Sequence, residues 1–187
     1  RKSASIGIAE GTYNSSYMFT YIANTDIEEY VPKEGIAGVP YIKKYLNPHT
    51  DPNNTDDNWP VYRYAEALLL LAEAINEQGR GQEALPYLNE VRQRAGLKGV
   101  TVTNQAQLRE IILKERRVEL AFENKRWHDL VRSGKAVEVM TAYGKALKEQ
   151  YTYLVDDSYK VSEYRLLFPL PFDEVEMNKE IKQNEGY

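Results

Sequence analysis

The sequence predicts a mostly α-helical fold: a tetratricopeptide-like helical hairpin plus further helices, with long irregular loops and little strand. From residue 59 onward, apolar residues recur at the three- and four-residue spacing of amphipathic helices. Before that point, glycines, prolines and polar clusters leave little room for long regular elements. We therefore divide the chain into a loop-rich segment with possible short strands, residues 1–58, and a helical region, residues 59–187.

Residues 1–58 are predicted to be mostly irregular, with short strands or extended segments at 16–23 and 39–46. A polar loop follows, and its residues 51–57 carry oxygen ligands at alternate positions, as in an EF-hand. Asp56 stands where an EF-hand needs glycine, and Tyr62 stands where it needs a bidentate glutamate, which excludes that motif. A looser calcium site and a solvated turn both stay open for this loop.

The first two helices are predicted to form a hairpin. The first begins near Pro60, because proline has no N–H to lose in a first turn, and it ends at Gly79. Leu69 is expected in its core face. The second starts at 82–84 and ends near Arg94. This pair resembles one tetratricopeptide unit, whereas an independent solenoid needs at least about three such units.

The later elements follow from caps and breakers. Asn104, with Gln107 three residues on, predicts the start of a third helix, which pauses near Asn124. Trp127 is expected to be a core anchor. The remaining predicted elements are helices over 126–133 and 136–148, a strand over 164–168, and a short helix from 173 to 177.

Composition excludes several classes of function. The net charge is −4, and no concentrated basic stripe is present, so we expect no nucleic-acid partner. Cysteine is absent, which excludes thiol catalysis and thiolate zinc sites. No apolar run approaches the ~20 residues that span a bilayer. The 15 tyrosines weakly favour a wet binding surface.

The acidic residues after residue 114 predict structure rather than catalysis. Glu119 and Glu123 share a helical face with Glu115, and Asp129 lies nearby, as a hydrolase would need. Arginines at 116, 117, 126 and 132 surround these acids and would lower their pKa values, so we predict structural ion pairs. Adjacent His128 and Asp129 cannot form a triad on one helix. We expect no catalytic residue, no metal site and no cofactor.

The ligand-binding candidates rest on aromatic chemistry. Tyr13, Tyr17 and Tyr21 recur every four residues, and Trp59 follows a polar loop just before a helix. Such rings stack on the C–H faces of sugars while amide and carboxylate side chains bond the hydroxyls. The same rings can equally cover the helices, and the sequence leaves both roles open.

Several motifs, in their order along the chain, resemble the C-terminal region of the SusD/RagB family of outer-membrane nutrient-binding lipoproteins of Bacteroidetes. The resemblance covers about residues 39–187. The motifs are Arg63-Tyr64-Ala65-Glu66 with Ala72-Glu73-Ala74, Leu88-Asn89-Glu90-Val91-Arg92 with Arg94-Ala95-Gly96-Leu97, the Glu115 to Arg132 block, Phe168-Pro169-Leu170-Pro171 and Gln183-Asn184-Glu185-Gly186-Tyr187. The family commonly ends Asn-Pro-Gly-Tyr, and Glu185 here replaces the proline.

The resemblance implies a function without naming binding residues, because the matching motifs are structural. It implies non-catalytic capture of oligosaccharides, or of peptides in some members, and delivery to a SusC-type TonB-dependent transporter. It also implies a surface-facing location on the outer membrane through a lipid anchor that this chain lacks. We therefore expect a fragment of a longer protein whose N-terminal part is missing.

Four functions stay open at this stage. Glycan binding is the leading hypothesis, and a peptide-binding RagB-like member is the second. A tetratricopeptide-like scaffold for protein partners is the third. A glycoside hydrolase using Glu119, Glu123 or Asp129 is the remote fourth, because it would need unpaired acids in a cleft.

Overall fold

The computed structural model describes residues 2–11, 21–23, 25–27, 30–31, 34–45 and 58–187. This part of the chain is mostly helical with little strand, which confirms the predicted fold class. It divides into two compact units, Arg1–Asn124 and Lys125–Tyr187. The division into residues 1–58 and 59–187 stays a prediction, and the loop at 51–57 lies outside the described residues.

The first unit combines a small sheet with three longer helices. Its elements are α1 (Lys2–Ser5), β1 (Ile6–Gly11), β2 (Tyr21–Ala23), β3 (Thr25–Asp26), β4 (Ala37–Ile42), α2 (Tyr64–Glu77), α3 (Gly81–Arg94) and α4 (Gln105–Glu119). Strand β1 is central: β2 and β3 pair with one edge of it, and β4 pairs with the other, all antiparallel.

Strand β1 was not predicted, and its pairing explains why. Glycines at 7 and 11 weaken the local signal for a strand. The strand forms because β4 pairs with it over its whole length, from Ile6 opposite Ile42 to Gly11 opposite Ala37. The Tyr41 ring covers Gly7 and occupies the space that a side chain there would fill. Strand β4 begins two residues earlier and ends four residues earlier than the predicted range of 39–46.

The hairpin of α2 and α3 is confirmed, but both helix starts differ from the prediction. Gly79 ends the first helix at φ +76°, a conformation that favours glycine. Helix α2 begins at Tyr64 rather than near Pro60, because Arg63 is extended at φ −140° and ψ 160°. Helix α3 begins at Gly81, one residue before the predicted range.

The core of this unit lies where α2, α3 and α4 meet. Leu69 is fully buried, as predicted, and it packs with leucines, isoleucines and alanines of the three helices. Polar contacts also connect α2 to α4. Asn76 and Gln105 exchange side-chain amide bonds with each other's carbonyl oxygens, both at 2.9 Å. The buried Arg116 guanidinium lies 3.6 Å from the Glu66 carboxylate.

Helix α4 starts as predicted and ends earlier than predicted. The Asn104 side chain accepts a hydrogen bond from the Gln107 N–H at 3.1 Å, which caps the start. The helix ends at Glu119, and the chain then turns through Phe122 at φ 66° and Asn124 at φ 58°. Left-handed conformations at residues other than glycine are uncommon, so contacts must hold this turn.

The second unit is a helical pair followed by an irregular C-terminal segment. Its elements are α5 (Arg126–Arg132), α6 (Ala136–Gln150), a 3₁₀ helix (Glu163–Leu166) and α7 (Phe172–Met177). The predicted strand at 164–168 was wrong, because the Arg165 N–H bonds the Ser162 carbonyl locally at 3.0 Å. Trp127 is half-buried rather than a buried core anchor.

Side chains of the C-terminal residues fix the proline-rich segment. The Gln183 side chain bonds both the N–H and the carbonyl of Leu170, at 2.7 and 3.0 Å. The Asn184 amide donates to the Phe168 carbonyl at 2.7 Å, and the Tyr187 hydroxyl donates to the Leu167 carbonyl at 3.0 Å. These contacts explain why the two C-terminal motifs occur together in the sequence.

Candidate functional site

The first unit contains an ion-pair cluster around Arg63. The Arg63 Nε donates to both oxygens of Glu123, at 3.0 and 2.8 Å. Its Nη1 reaches Glu119 at 2.7 Å, and its Nη2 donates to the Glu119 backbone carbonyl at 2.8 Å. Lys44 pairs with Glu123, and Arg94 pairs with Glu119. Three cations therefore surround two buried carboxylates.

The same cluster holds the left-handed turn after α4. The Lys44 ammonium donates to the carbonyls of Glu119 and Ala121, both at 3.0 Å. The Tyr45 hydroxyl donates to the Phe122 carbonyl at 3.1 Å. Carbonyls at a helix end have no partner within the helix, so these side chains act as a cap supplied from a distant part of the chain.

Burial and neighbouring charges together shift the pKa values of three groups in this cluster. Burial raises the pKa of the Glu123 carboxyl, but bonds from Arg63 and Lys44 outweigh it, and the pKa ends below its ordinary value. Burial lowers the pKa of Arg63, yet Glu123 and Glu119 raise it above its ordinary value. Burial and the Glu123 charge raise the pKa of Tyr45, so its hydroxyl stays protonated and can donate.

A cleft of about 590 Å³ opens beside this cluster. Its wall includes Tyr45, Asn58 and Pro60 together with the charged groups Lys44, Arg63, Arg94, Glu119 and Glu123. A cleft of this size falls within the range of small-molecule binding sites. The Arg94 side chain is 62% exposed and is the most accessible charge of the cluster.

In the sequence, Trp59 lies between Asn58 and Pro60, which both line the cleft. Its indole stacks on the ring of Tyr45, which lines the cleft as well. The indole and the Tyr45 ring have centroids 4.6 Å apart and planes inclined by 28°. Trp59 remains 57% exposed, although a tryptophan can bury a large apolar area in a core. Tyr45 thus supports an indole whose remaining surface faces solvent, and this arrangement is our candidate site.

The other predicted aromatic candidates are not tested by the structure. Tyr13 and Tyr17 lie outside the described residues. The backbone of Tyr21 belongs to β2 and pairs with Glu10 of β1. Ligand binding by these three tyrosines, and by Trp59, stays a prediction.

The acids considered for catalysis are all engaged in ion pairs. Glu119 and Glu123 lie in the Arg63 cluster, and Asp129 is bonded by the Arg132 guanidinium at 2.8 Å. Glu115 pairs with Arg92 at 2.5 Å. Ion pairing was predicted, and Arg132 is one of the arginines expected nearby. The partners Arg63, Arg92, Arg94 and Lys44 were not foreseen. Within the described ranges, no three His, Asp or Glu side chains are grouped to hold a metal ion.

Sequence reasoning missed Lys44, Tyr45 and Arg94 as members of the site. Each lies far along the chain from the acids or the turn that it contacts, so helical spacing gives no signal for them. Arg63 was noticed only as part of a motif. No spacing signal in the sequence connects Arg63 to Glu119 and Glu123, which lie 56 and 60 positions further along the chain.

The fold and the site define a mostly helical protein whose central acids are neutralised and whose exposed aromatic surface lies beside a polar cleft. Comparison with known protein families identifies one family within this class of helical proteins. The SusD family model matches residues 1–187. The chain therefore belongs to the SusD family, which confirms the resemblance drawn from its motifs. No helix in the described ranges is both long enough and apolar enough to cross a membrane.

Three relatives share about a third of their aligned residues with this chain. SusD-like protein P2 of Formosa agariphila is 34% identical over 190 residues, covering 94% of this chain and 35% of that protein. SusD-like protein P38 of the same species is 34% identical over 155 residues, covering 78% and 28%. Starch-binding protein SusD of Bacteroides thetaiotaomicron is 34% identical over 134 residues, covering 71% and 22%.

Solved structures of the same superfamily agree with the fold. A SusD-like protein from Bacteroides fragilis superposes with a TM-score of 0.60 at 28% identity, covering 79% of this chain and 30% of that one. A SusD superfamily protein from Parabacteroides distasonis gives 0.58 at 28% identity, covering 96% and 37%. The chain thus spans between 22% and 37% of the length of these proteins.

Proposed function

We propose that this chain is part of a non-catalytic protein that binds oligosaccharides at the outer-membrane surface and delivers them to a SusC-type TonB-dependent transporter. The observation that supports the proposal most directly is the Trp59 indole, 57% exposed and stacked on Tyr45 beside the cleft. Sequence similarity also supports it, because starch-binding protein SusD is 34% identical to this chain over the aligned residues.

The chemistry of the site suits a sugar. One face of a pyranose ring carries several C–H groups, which pack on an aromatic surface, while the ring edge carries hydroxyls that need polar partners. Trp59 offers the surface. Asn58 and Arg94 on the cleft wall offer an amide and a guanidinium to hydroxyl oxygens. Because the Tyr45 ring already holds the Trp59 indole in place, the indole loses little freedom when a sugar binds, which favours affinity.

A binding role also fits the state of the acids. A glycosidase needs one carboxyl that keeps its proton near neutral pH and a second carboxylate across the scissile bond. Arg63 and Lys44 instead hold the pKa of Glu123 below its ordinary value, although burial alone would raise it. Glu119 is bonded by two arginines. Neither acid is placed to donate a proton.

The anchoring and the partner follow from family membership and are part of the proposal. The full-length protein would be held on the outer membrane by a lipid anchor outside this chain. The transporter would receive the glycan from it. The stretch of the protein beyond this chain is expected to contribute further ligand contacts.

The test is retardation of the full-length protein in native gels that contain soluble starch, laminarin, arabinoxylan or pectin, with reducing-sugar release measured in the same samples. Retardation without sugar release is expected. Trp59→Ala should reduce retardation, whereas Trp59→Phe, which keeps a ring, should retain most of it. Phe168→Ala, which removes an exposed ring of the second unit, is the matched control.

Two results would contradict the proposal. Release of reducing sugar would show catalysis and direct attention to Glu119, Glu123 and Asp129. Absence of retardation in every gel would favour the peptide-binding alternative, which titration with a mixture of short peptides would then examine.

A further inference from the structure

Tyrosine rings of the second unit occur in pairs. Tyr143 meets Tyr159 edge-on at 5.7 Å between centroids, and Tyr164 meets Tyr187 edge-on at 5.4 Å. The third pair, Tyr151 and Tyr153, has centroids 5.7 Å apart and planes inclined by 47°. These pairs include every tyrosine between residues 125 and 187. The question is which of them the fold itself requires.

Two of the pairs have a structural role. The Tyr164 ring packs against Gly186, where an added Cβ would lie 2.5 Å from it, and Tyr187 bonds the Leu167 carbonyl. Tyr159 packs against Gly144 of α6, where an added Cβ would lie 2.6 Å from the Tyr159 Cβ. The first pair therefore fixes the C-terminal residues, and the second fixes the segment after α6 onto the helix.

The pair of Tyr151 and Tyr153 has no such role. Tyr153 is 77% exposed and Tyr151 is 39% exposed. Neither hydroxyl bonds another residue within the described part of the chain. The two rings also lie outside regular helix, at the end of α6 and in the turn that follows it. Two adjacent aromatic rings with uncommitted hydroxyls are thus presented to solvent.

The backbone that carries these rings is fixed by local bonds. The Tyr151 N–H bonds the Leu147 carbonyl at 2.8 Å, and the Leu154 N–H bonds the Tyr151 carbonyl at 3.2 Å. The Lys148 ammonium donates to the Asp156 carbonyl from α6. Because the turn is already ordered, a ligand that binds the rings does not have to order it. A tyrosine side chain has only two χ angles, so it loses little conformational entropy on binding.

We propose that Tyr151 and Tyr153 form a second sugar-binding platform, in the unit that does not contain Trp59. The inclined rings would cradle one pyranose face and leave their hydroxyls free to bond sugar hydroxyls. The exposed carboxylates of Asp156 and Asp157 follow three to six residues later and supply acceptors. This inference rests on the proposed glycan-binding function and adds a site to it.

The test uses the full-length protein and the polysaccharide that retards the wild type most strongly among soluble starch, laminarin, arabinoxylan and pectin. Tyr153→Ala and Tyr151→Ala should each weaken binding about threefold to tenfold, the range expected for one lost aromatic contact. Tyr153→Phe should bind more tightly than Tyr153→Ala, because it keeps the ring and loses only the hydroxyl. Tyr153→Trp should retain binding and change its fluorescence emission as the same polysaccharide is added. Phe168→Ala is the control for loss of an exposed ring.

Each outcome decides the inference. Wild-type affinity in both alanine variants would overturn the second platform while leaving the proposed function in place. Weakened binding without any emission change in Tyr153→Trp would also overturn it, because the ring would then act through the fold rather than by contact. A wild-type protein that no polysaccharide retards would overturn the proposed function and this inference together.

Discussion

Replacing Arg63 with methionine tests whether the ion-pair cluster holds the first unit together. Methionine keeps an unbranched apolar stem and removes the guanidinium. The change deletes three side-chain bonds to Glu123 and Glu119 and one to the Glu119 carbonyl. Both carboxylates remain buried, while Lys44 still pairs with Glu123 and Arg94 with Glu119. The variant therefore contains two under-compensated acids.

The expected loss follows from these contacts. Removing one partner of a buried ion pair costs about 3–5 kcal/mol, and one charge-assisted bond contributes about 1.5–3 kcal/mol. The Arg63 side chain is 26% exposed, and two cations remain, so part of the loss is offset by solvent and by the remaining pairs. We expect the free energy of unfolding to fall by about 2–4 kcal/mol at pH 7.

The stability difference between Arg63→Met and the wild type should depend on pH in a defined direction. In the wild type the folded pKa of Glu123 lies below its unfolded value, so its contribution is present at neutral pH and disappears as pH falls through the folded pKa. Without Arg63, burial acts against the charged carboxylate with less opposition. In the variant, protonation of the carboxylate removes the cost of burying its charge. The difference in stability between variant and wild type should therefore shrink as the pH is lowered past the carboxyl range.

Urea unfolding followed by circular dichroism, at neutral and acidic pH, measures both effects. Arg80→Met is the matched control: Arg80 also pairs with a glutamate, Glu83, but both side chains are about half exposed. Exposed pairs contribute little, so this control should unfold nearly as wild type. Equal losses in the two variants, or an Arg63 loss that is the same at both pH values, would refute the reasoning.

Three further changes are expected to lower stability, each measured by thermal unfolding. Leu69→Ala leaves a cavity at a fully buried position and should cost about 2–5 kcal/mol; an unchanged midpoint would contradict the core assignment. Gly144→Ala places a Cβ 2.6 Å from that of Tyr159 and should cost about 1–3 kcal/mol. Gln183→Ala removes both bonds to Leu170 and should cost about 1–3 kcal/mol, whereas Lys182→Ala beside it should change little.

The helical part of the fold was predictable because its signals are local. The Asn104 cap and the Gly79 stop each act within one turn of helix, and the structure has both. Strand β1 was not predictable, since its stability comes from β4, some 30 residues later, and from a ring that covers its glycine. The local bond from Arg165 to Ser162, likewise, prevented the predicted strand there.

The candidate site was predictable only in part, for the same reason. Trp59 was singled out from its position between a polar loop and a helix, with surface and packing roles both left open, and its indole is 57% exposed. Its support by Tyr45 was not foreseen, because stacking between residues 14 positions apart leaves no periodic signal. The arginines at 116, 117, 126 and 132 were expected to surround Glu123, whereas Arg63 and Lys44, which pair with it, come from before the hairpin.

The stack of Tyr45 on Trp59 has a consequence for the residues between them. Two rings whose centroids lie 4.6 Å apart fix where the intervening segment leaves and rejoins the framework. Lys44 and Arg63, just outside the stack, anchor both ends again through Glu123. Substitutions at positions 46–57 are therefore expected to leave Tyr45 and Trp59 in place. A framework whose two ends are fixed in this way tolerates changes in the sequence between them with little loss of stability.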